Sequence, residues 1–269
     1  MERYRIDCAW TNTFAPAREL TVQHAYDSAF MHYADASARH SALTVSRMLR
    51  VPLSVGSVLD IGCAKGTWLA AWKEAGVVTI YGVDGAYIDQ DRLIIPRNAF
   101  TPADLAAPLG LGRRFDLVQS LEVAEHIAET SAGQFILNLV NHSNGLVLFS
   151  AAPPGQGGEF HVNEQGYDYW RQKFAAHGYE AFDYLRPRIA SDKSISFWYR
   201  YNIILYVHRD RVGALPPDVM ATRVDSSLTI PDLTPVAFRL RKAVVRSLPV
   251  SLRHMLARFK ARLLPSGRF

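Results

Sequence analysis

The sequence predicts an α/β fold, a doubly wound, mostly parallel sheet of about seven strands with helices on both faces. Three observations predict it. From residue 57 onward, short apolar runs alternate with helical periodicity. Two of the strand-like runs carry an acid at or next to their end and lead into glycine. The 269 residues, 49% hydrophobic and 20% charged, suffice for one large domain with extensions and are short for two. Such alternation implies βαβ crossovers and a parallel sheet covered on both sides.

Taken in order, residues 17–50 read as helical, Ala-rich, with Tyr26, Phe30 and Tyr33 at spacings of three and four before Leu43, Met48 and Leu49. With His24, these aromatics either roof a pocket as an N-terminal lid or pack as an ordinary amphipathic helix. Ser57–Ile61 is a β-branched strand, followed by a glycine turn and a helix near Thr67–Ala75 that Gly76 ends. Val78–Val83 is the second strand and Phe115–Ser120 another. A helix near Ser131–Val140 leads to the apolar strand Gly145–Ser150. Asp168–His177 reads as a helix closed by Gly178, and Tyr179–Leu185 and Asn202–His208 finish the sheet. Trp198-Tyr199-Arg200-Tyr201-Asn202 then opens the last strand, in core or edge packing or with Tyr199 or Arg200 facing a substrate. Trp68, Trp72 and Trp170 are expected in or near the core. The expected organisation is a helical cap (1–50), an α/β core (51–212), a proline-marked linker (213–233) and a basic amphipathic tail (234–269).

Charge narrows the function. From Arg239 to the end there are nine Lys/Arg and no acid, so residues 1–232 carry 21 basic against 25 acidic residues, about −4. An acidic body argues against a nucleic-acid enzyme, whose binding face should be basic. Cys8 and Cys63 are too few for a disulfide framework or a zinc site, which points to a reducing, cytoplasmic setting. The N-terminus lacks signal-peptide order, and no apolar run approaches a membrane span. No Cys/His/carboxylate cluster shows metal-ligand spacing, so no metal is expected.

The chemistry is expected at the first strand and its turn, Val58-Leu59-Asp60-Ile61-Gly62-Cys63-Ala64-Lys65-Gly66. A strand feeding a glycine turn and then a helix brings a ligand close to bare backbone. Asp60 can hold an ammonium or ribose group by charge-assisted hydrogen bonds. The second strand ends in Asp84-Gly85, where an acid is placed to accept from both ribose hydroxyls of an adenosine. Together these favour a nucleoside cofactor. A dinucleotide turn would carry three glycines as GxGxxG, whereas this GxAxG form follows an acid, which repels phosphate and tolerates a cation.

The turn resembles the DxGxGxG motif of class I methyltransferases, with Ala64 at the middle glycine. Phe100-Thr101-Pro102-Ala103-Asp104-Leu105 resembles the loop after their third strand, and Phe115-Asp116-Leu117-Val118-Gln119-Ser120-Leu121-Glu122-Val123-Ala124-Glu125-His126-Ile127 their FDLV…EVxEHI motif. Pro153–Gln165 and Tyr169-Trp170 resemble the PGQGG…HVNEQ…YW segment of a Methyltransf_11/23-like small-molecule subgroup. The resemblance covers residues 55–208. It implies a Rossmann-like fold with S-adenosylmethionine (SAM) as cofactor, Asp104 at the adenine amino group, and Ser120, Leu121 and Glu122 along the methionine moiety. Asp60, Gly62, Cys63, Ala64, Gly66, Asp84, Gly85 and Leu105 complete the expected cofactor contacts.

The implied reaction is in-line displacement of the SAM methyl by a nucleophile of a small-molecule acceptor, such as a hydroxyl or amine of a sugar, lipid-linked saccharide or secondary metabolite. His161 is a candidate general base or acceptor contact, or else fixes its loop; Asn163 and Glu164 could orient its ring. His126 is the second candidate, with a structural role as its other reading. A non-catalytic SAM-fold module is the rival, disfavoured because Asp84 and Asp104 are both present. In the tail, Thr234-Pro235 starts a helix with Val236, Leu240, Val244 and Leu248 at every fourth position. After Pro249 a second helix gathers Leu252, Met255, Leu256, Phe259 and Leu263 on one face. Such a tail either contacts an anionic membrane or packs on the acidic body. No obligate protein partner is evident.

Overall fold

Seven strands, β1 (Ser57–Ile61), β2 (Thr79–Asp84), β3 (Phe100–Pro102), β4 (Leu117–Leu121), β5 (Leu146–Ser150), β6 (Tyr179–Phe182) and β7 (Ile204–His208), form one sheet. Its order is β3-β2-β1-β4-β5-β7-β6. The first five strands are mutually parallel, and β7 runs antiparallel between β5 and β6. The computed structural model describes residues 28–248, with side chains from residue 38. The helices are α1 (Ser28–Arg50), α2 (Thr67–Glu74), α3 (Ala132–Asn141), α4 (Tyr167–Ala175), α5 (Arg186–Ile189), α6 (Phe197–Asn202), α7 (Arg209–Val212), α8 (Pro217–Met220) and α9 (Val236–Ser247).

The period-2 alternation of each strand builds two cores, one on each face of the sheet. Val58, Leu117, Leu148 and Leu205 pack with α1 and α2, including Trp68 and Trp72. Leu59, Val118, Val147, Phe149 and Tyr206 pack with α3 and α4, including Trp170 and Phe174. The three tryptophans are buried, as expected. Along α1, Ala38, Ala42, Val45 and Leu49 form the buried stripe, so from residue 38 this helix is core. Tyr26 and His24, and the side chains of Phe30 and Tyr33, lie outside the described residues, and with them the lid.

Two differences from the sequence reading have physical causes. Residues 197–202 do not open the last strand; they form α6, and β7 begins only at Ile204. The aromatic run has strand propensity, but a helix brings Phe197 and Tyr201 together with ring centroids 4.7 Å apart, and Tyr199 edge-on to Trp68 at 5.0 Å. Neither Tyr199 nor Tyr201 is left exposed. The penultimate strand stops at Phe182 because Asp183 turns to clamp Arg186 through two hydrogen bonds of 2.8 Å. Residues 213–233 carry α8, bury Val219 and Ile230, and bridge Arg223 to Phe182 beside β6. Among the described residues, no helix is long and apolar enough to cross a membrane.

Candidate active site

Parallel pairing places the carboxyl ends of β1 to β5 at one edge, and the antiparallel β7 brings α6 to that same edge. Every candidate residue lies there, in two groups.

The first group surrounds the β1 turn. Gly62 N–H and Cys63 N–H donate to Val83 O at 2.8 and 3.2 Å, tying the turn to β2. Gly62 has φ +91°, and a Cβ there would sit 2.4 Å from Val123 Cγ2. Ala64 takes φ +48°, a region that costs a non-glycine residue about 1–2 kcal/mol. Its N–H donates to Asp84 Oδ2 at 2.7 Å, which holds it there. Gly66, φ +91°, precedes α2. The Cys63 side chain is buried; a Cβ on Gly82 would meet its Sγ at 2.6 Å, and burial pushes its thiol well above the ordinary value.

Asp60 and Asp84 are 3% and 4% exposed. Burial raises Asp60 from 3.8 to about 7, opposed by the Gln119 amide and reinforced by Asp84. Gln119 is itself anchored, its Oε1 accepting from Trp72 Nε1 at 2.7 Å. Burial raises Asp84 as well, against hydrogen bonds from Tyr87 and from the Ala64 and Gly85 amides. Asp84 Oδ1 accepts from Gly85 N–H at 2.7 Å and from Tyr87 Oη–H at 2.6 Å. Asp104 is exposed one strand further on, its Oδ1 accepting from Ala106 N–H at 2.9 Å. Leu105 and Leu121 are buried, and the Ser120 hydroxyl donates to Ile61 O at 2.7 Å, joining β4 to β1.

The second group lies past β4 and β5. Glu122 leaves β4 with φ +56°. Its Oε1 accepts from Asn202 Nδ2 at 3.0 Å and its Oε2 from Gln156 Nε2 at 2.8 Å. Burial raises its pKa, opposed by those amides. A 3₁₀ turn, Ala124–His126, follows. Glu125 O accepts from Val162 and Asn163 N–H at 2.9 and 3.0 Å, docking the loop after β5 onto this turn. Burial, reinforced by the charge of Glu122, pushes the Glu125 carboxyl well above its usual range.

His126 and His161 meet edge to face with centroids 4.9 Å apart. His161 Nδ1 lies 2.9 Å from Glu164 Oε1, and Glu164 also accepts from Gly155 and Gly157 N–H at 2.9 and 2.7 Å. Burial alone would raise Glu164; these bonds hold it below the ordinary value. A Cβ at residue 158 would sit 2.0 Å from His161 Nε2, so glycine is required there for the ring to lie where it does. His126 Nδ1 lies 3.2 Å from Phe160 O.

Sequence reasoning missed Tyr87, Gln119, Glu125, Gln156 and Asn202. Tyr87, three residues past Asp84, carried a local signal. Gln119 and Glu125 stood within the Phe115–Ile127 segment and Gln156 within Pro153–Gln165, but their contacts, like that of Asn202, come from strand pairing or chain crossings, which spacing does not encode.

Helix α9 leans on the same loop. A Cβ on Gly155 would meet Lys242 O at 2.2 Å, and Arg241 Nη1 donates to Gln156 O at 3.1 Å. Phe238 packs on Phe197 with centroids 4.2 Å apart, and Lys242 pairs with Asp232.

Known structures share this architecture. The sugar N-methyltransferase KedS8 from Streptoalloteichus sp ATCC 53650 superposes with a TM-score of 0.54 at 15% identity, over 77% of this chain and 100% of that one. An O-methyltransferase family protein from Burkholderia thailandensis gives 0.53 at 12% identity, over 66% of this chain and 58% of that one. No curated protein matches the chain significantly. The Methyltransferase domain family, Methyltransf_23, matches residues 31–192. With the strand order and the β1 turn in place, the chain belongs to that family and is a SAM-dependent methyltransferase of the class I, Rossmann-like type.

Proposed function

We propose that the protein transfers the SAM methyl group to a hydroxyl or amine of a small molecule, such as a sugar, lipid-linked saccharide or secondary metabolite. The observation that carries the reading is one sheet edge with two chemically different ends. Buried Asp60 and Asp84 beside a glycine turn suit the ammonium and ribose of SAM, with Asp104 toward the adenine. The cluster Glu122, His126, His161 and Glu164, past β4 and β5, suits a polar acceptor. The likeness in fold to a sugar N-methyltransferase is consistent with a saccharide.

The activated sulfonium drives the reaction, so the protein's task is to align acceptor and methyl and to exclude water. His161, its ring fixed by Glu164, and His126, fixed by Phe160 O, face the acceptor and take part in removing its proton. The α9 face carrying Val236, Leu240 and Val244, each more than 60% exposed, with exposed Arg239, Arg241 and Arg246, brings the enzyme to an anionic membrane surface.

Calorimetry with SAM tests the cofactor end. Asp84→Asn keeps the shape and loses the charge, so affinity should fall by about 1.5–3 kcal/mol, roughly 10–150-fold. Unchanged affinity would place the ribose elsewhere.

A further inference from the structure

We propose that Glu125, His126 and His161 form a site for a divalent transition-metal ion at the acceptor end of the methyl-transfer site. One ligand atom from each lies within 4.8 Å of the other two. Donors about 2.0–2.2 Å from an ion stand about 3–4 Å from one another, so closure on the order of 1 Å would let the three share one ion, with water completing the shell.

The tautomers fit. Phe160 O only accepts, so His126 carries its proton on Nδ1 in that contact, which puts the lone pair on Nε2. Both carboxyl oxygens of Glu164 already accept from the Gly155 and Gly157 amides, so His161 Nδ1, facing Oε1, is likewise placed to donate, which presents the Nε2 lone pair. A ligating histidine whose second nitrogen donates to a carbonyl or carboxylate is the usual arrangement at metal centres.

The second observation is independent of the histidines. Glu125 is 1% exposed, and its Oε2 has no hydrogen-bond partner among the described residues. A buried carboxyl oxygen without a partner is unfavourable, and a cation placed there would remove that cost. The backbone is also committed to the arrangement. Glu122 and Phe160 both take left-handed φ, +56° and +61°, on either side of the cluster.

Two imidazoles and one carboxylate favour an ion such as Zn2+, Mn2+ or Co2+ over Mg2+ or Ca2+. His126 and His161 are half-buried, and the use of the ion in methyl transfer rests on the functional reading above. The part of the two histidines in removing the acceptor proton would then be to hold the ion: an acceptor hydroxyl against it would give up its proton to water, its oxygen would form the bond to the methyl carbon, and the S–C bond would break with its electron pair going to sulfur. The products are the methyl ether, S-adenosylhomocysteine and one proton. The same ion would bind an amine through the lone pair that has to attack, so the acceptor group is a hydroxyl.

The test is titration of the chelator-treated full chain with Co2+, followed by its visible absorption and by calorimetry, without SAM or acceptor. The expected result is one saturable equivalent, displaced by Zn2+, with affinity reduced more than tenfold in both Glu125→Gln and His161→Ala. His177→Ala, on an exposed remote histidine, should bind as the parent does. His161 lies on a loop, so this variant keeps the fold even if the buried Glu125→Gln does not; circular dichroism checks both. Absence of saturable binding by the parent, or undiminished binding by folded His161→Ala, would overturn the proposal. SAM calorimetry is a separate readout, so failure of the cofactor reading would leave the metal result standing.

Discussion

If Asp60 holds the SAM ammonium or ribose as proposed, binding should depend on pH. Its carboxyl is 3% exposed and raised to about 7 from 3.8 by burial first, with Asp84 adding and Gln119 subtracting. One pKa unit corresponds to about 1.36 kcal/mol, so ionising it in the empty site costs on the order of 4 kcal/mol. The folded pKa lies above the unfolded one. The folded state therefore holds the extra proton between about pH 4 and 7, and stability falls as pH rises through that window, levelling off above it. A cationic ligand needs the carboxylate. Below about pH 7 binding must expel the proton, and affinity should drop up to tenfold per pH unit. The SAM amine, with an α-amino pKa near 8, stays charged across the window and adds no slope. Calorimetry of SAM at about pH 5, 6 and 7 measures the slope, and Asp60→Asn isolates its source. The variant should bind SAM more than tenfold weaker at about pH 7, lose the slope, and unfold at higher denaturant than the parent at about pH 8. A flat parental profile would refute the ammonium or ribose contact. A slope that survives in Asp60→Asn would move it to Asp84, whose pKa burial also raises.

Two further outcomes follow from the frame around the site. Arg186 is fully buried, binds Asp183 through both carboxylate oxygens, and donates to Tyr201 O and Pro231 O at 3.2 and 3.0 Å. Arg186→Met leaves Asp183 without its partner and should cost about 3–5 kcal/mol in urea unfolding; a loss below about 1 kcal/mol would mean the clamp is dispensable. In vesicle flotation, the parent should bind anionic liposomes and release them at high salt, and Leu240→Ser with Val244→Ser should weaken binding without changing stability, since both residues are exposed. Equal partitioning of the two proteins would leave this face without a membrane role.

The fold was legible because its signals are local. Period-2 runs marked β1, β2, β4 and β5 to within two residues, and Gly76 and Gly178 marked the ends of α2 and α4. The aromatic run at 197–202 misled because strand propensity and helical side-chain pairing compete within six residues, and burial against Trp68 decided for helix. The candidate cofactor end could be located for the same reason as the fold: Asp60 and Asp84 lie at the carboxyl ends of β1 and β2, and paired strands must present those ends together. The acceptor end was only half legible. His126 and His161 stood out as single residues, and Glu164 was visible as a neighbour of His161. The closure of Glu125, 36 residues from His161, depends on the amides of Val162 and Asn163 finding Glu125 O, a contact no spacing rule encodes.

The antiparallel strand explains why the acceptor end is built as it is. A sixth parallel strand beside β5 would enter the sheet from the far edge and carry its preceding segment away from the ligands. Because β7 is reversed, the segment before it, α6, arrives at the ligand edge, and Asn202 reaches both Glu122 and Gln156. Arg186 fastens the end of α6 to residue 231, and the Asp232–Lys242 pair fastens α9 to the same stretch. Helix α9 then lies against Gly155, Gln156 and Gly157, the loop whose amides hold Glu164 and, through it, His161. The chain after residue 231 is therefore coupled to the histidine cluster by a short series of direct contacts.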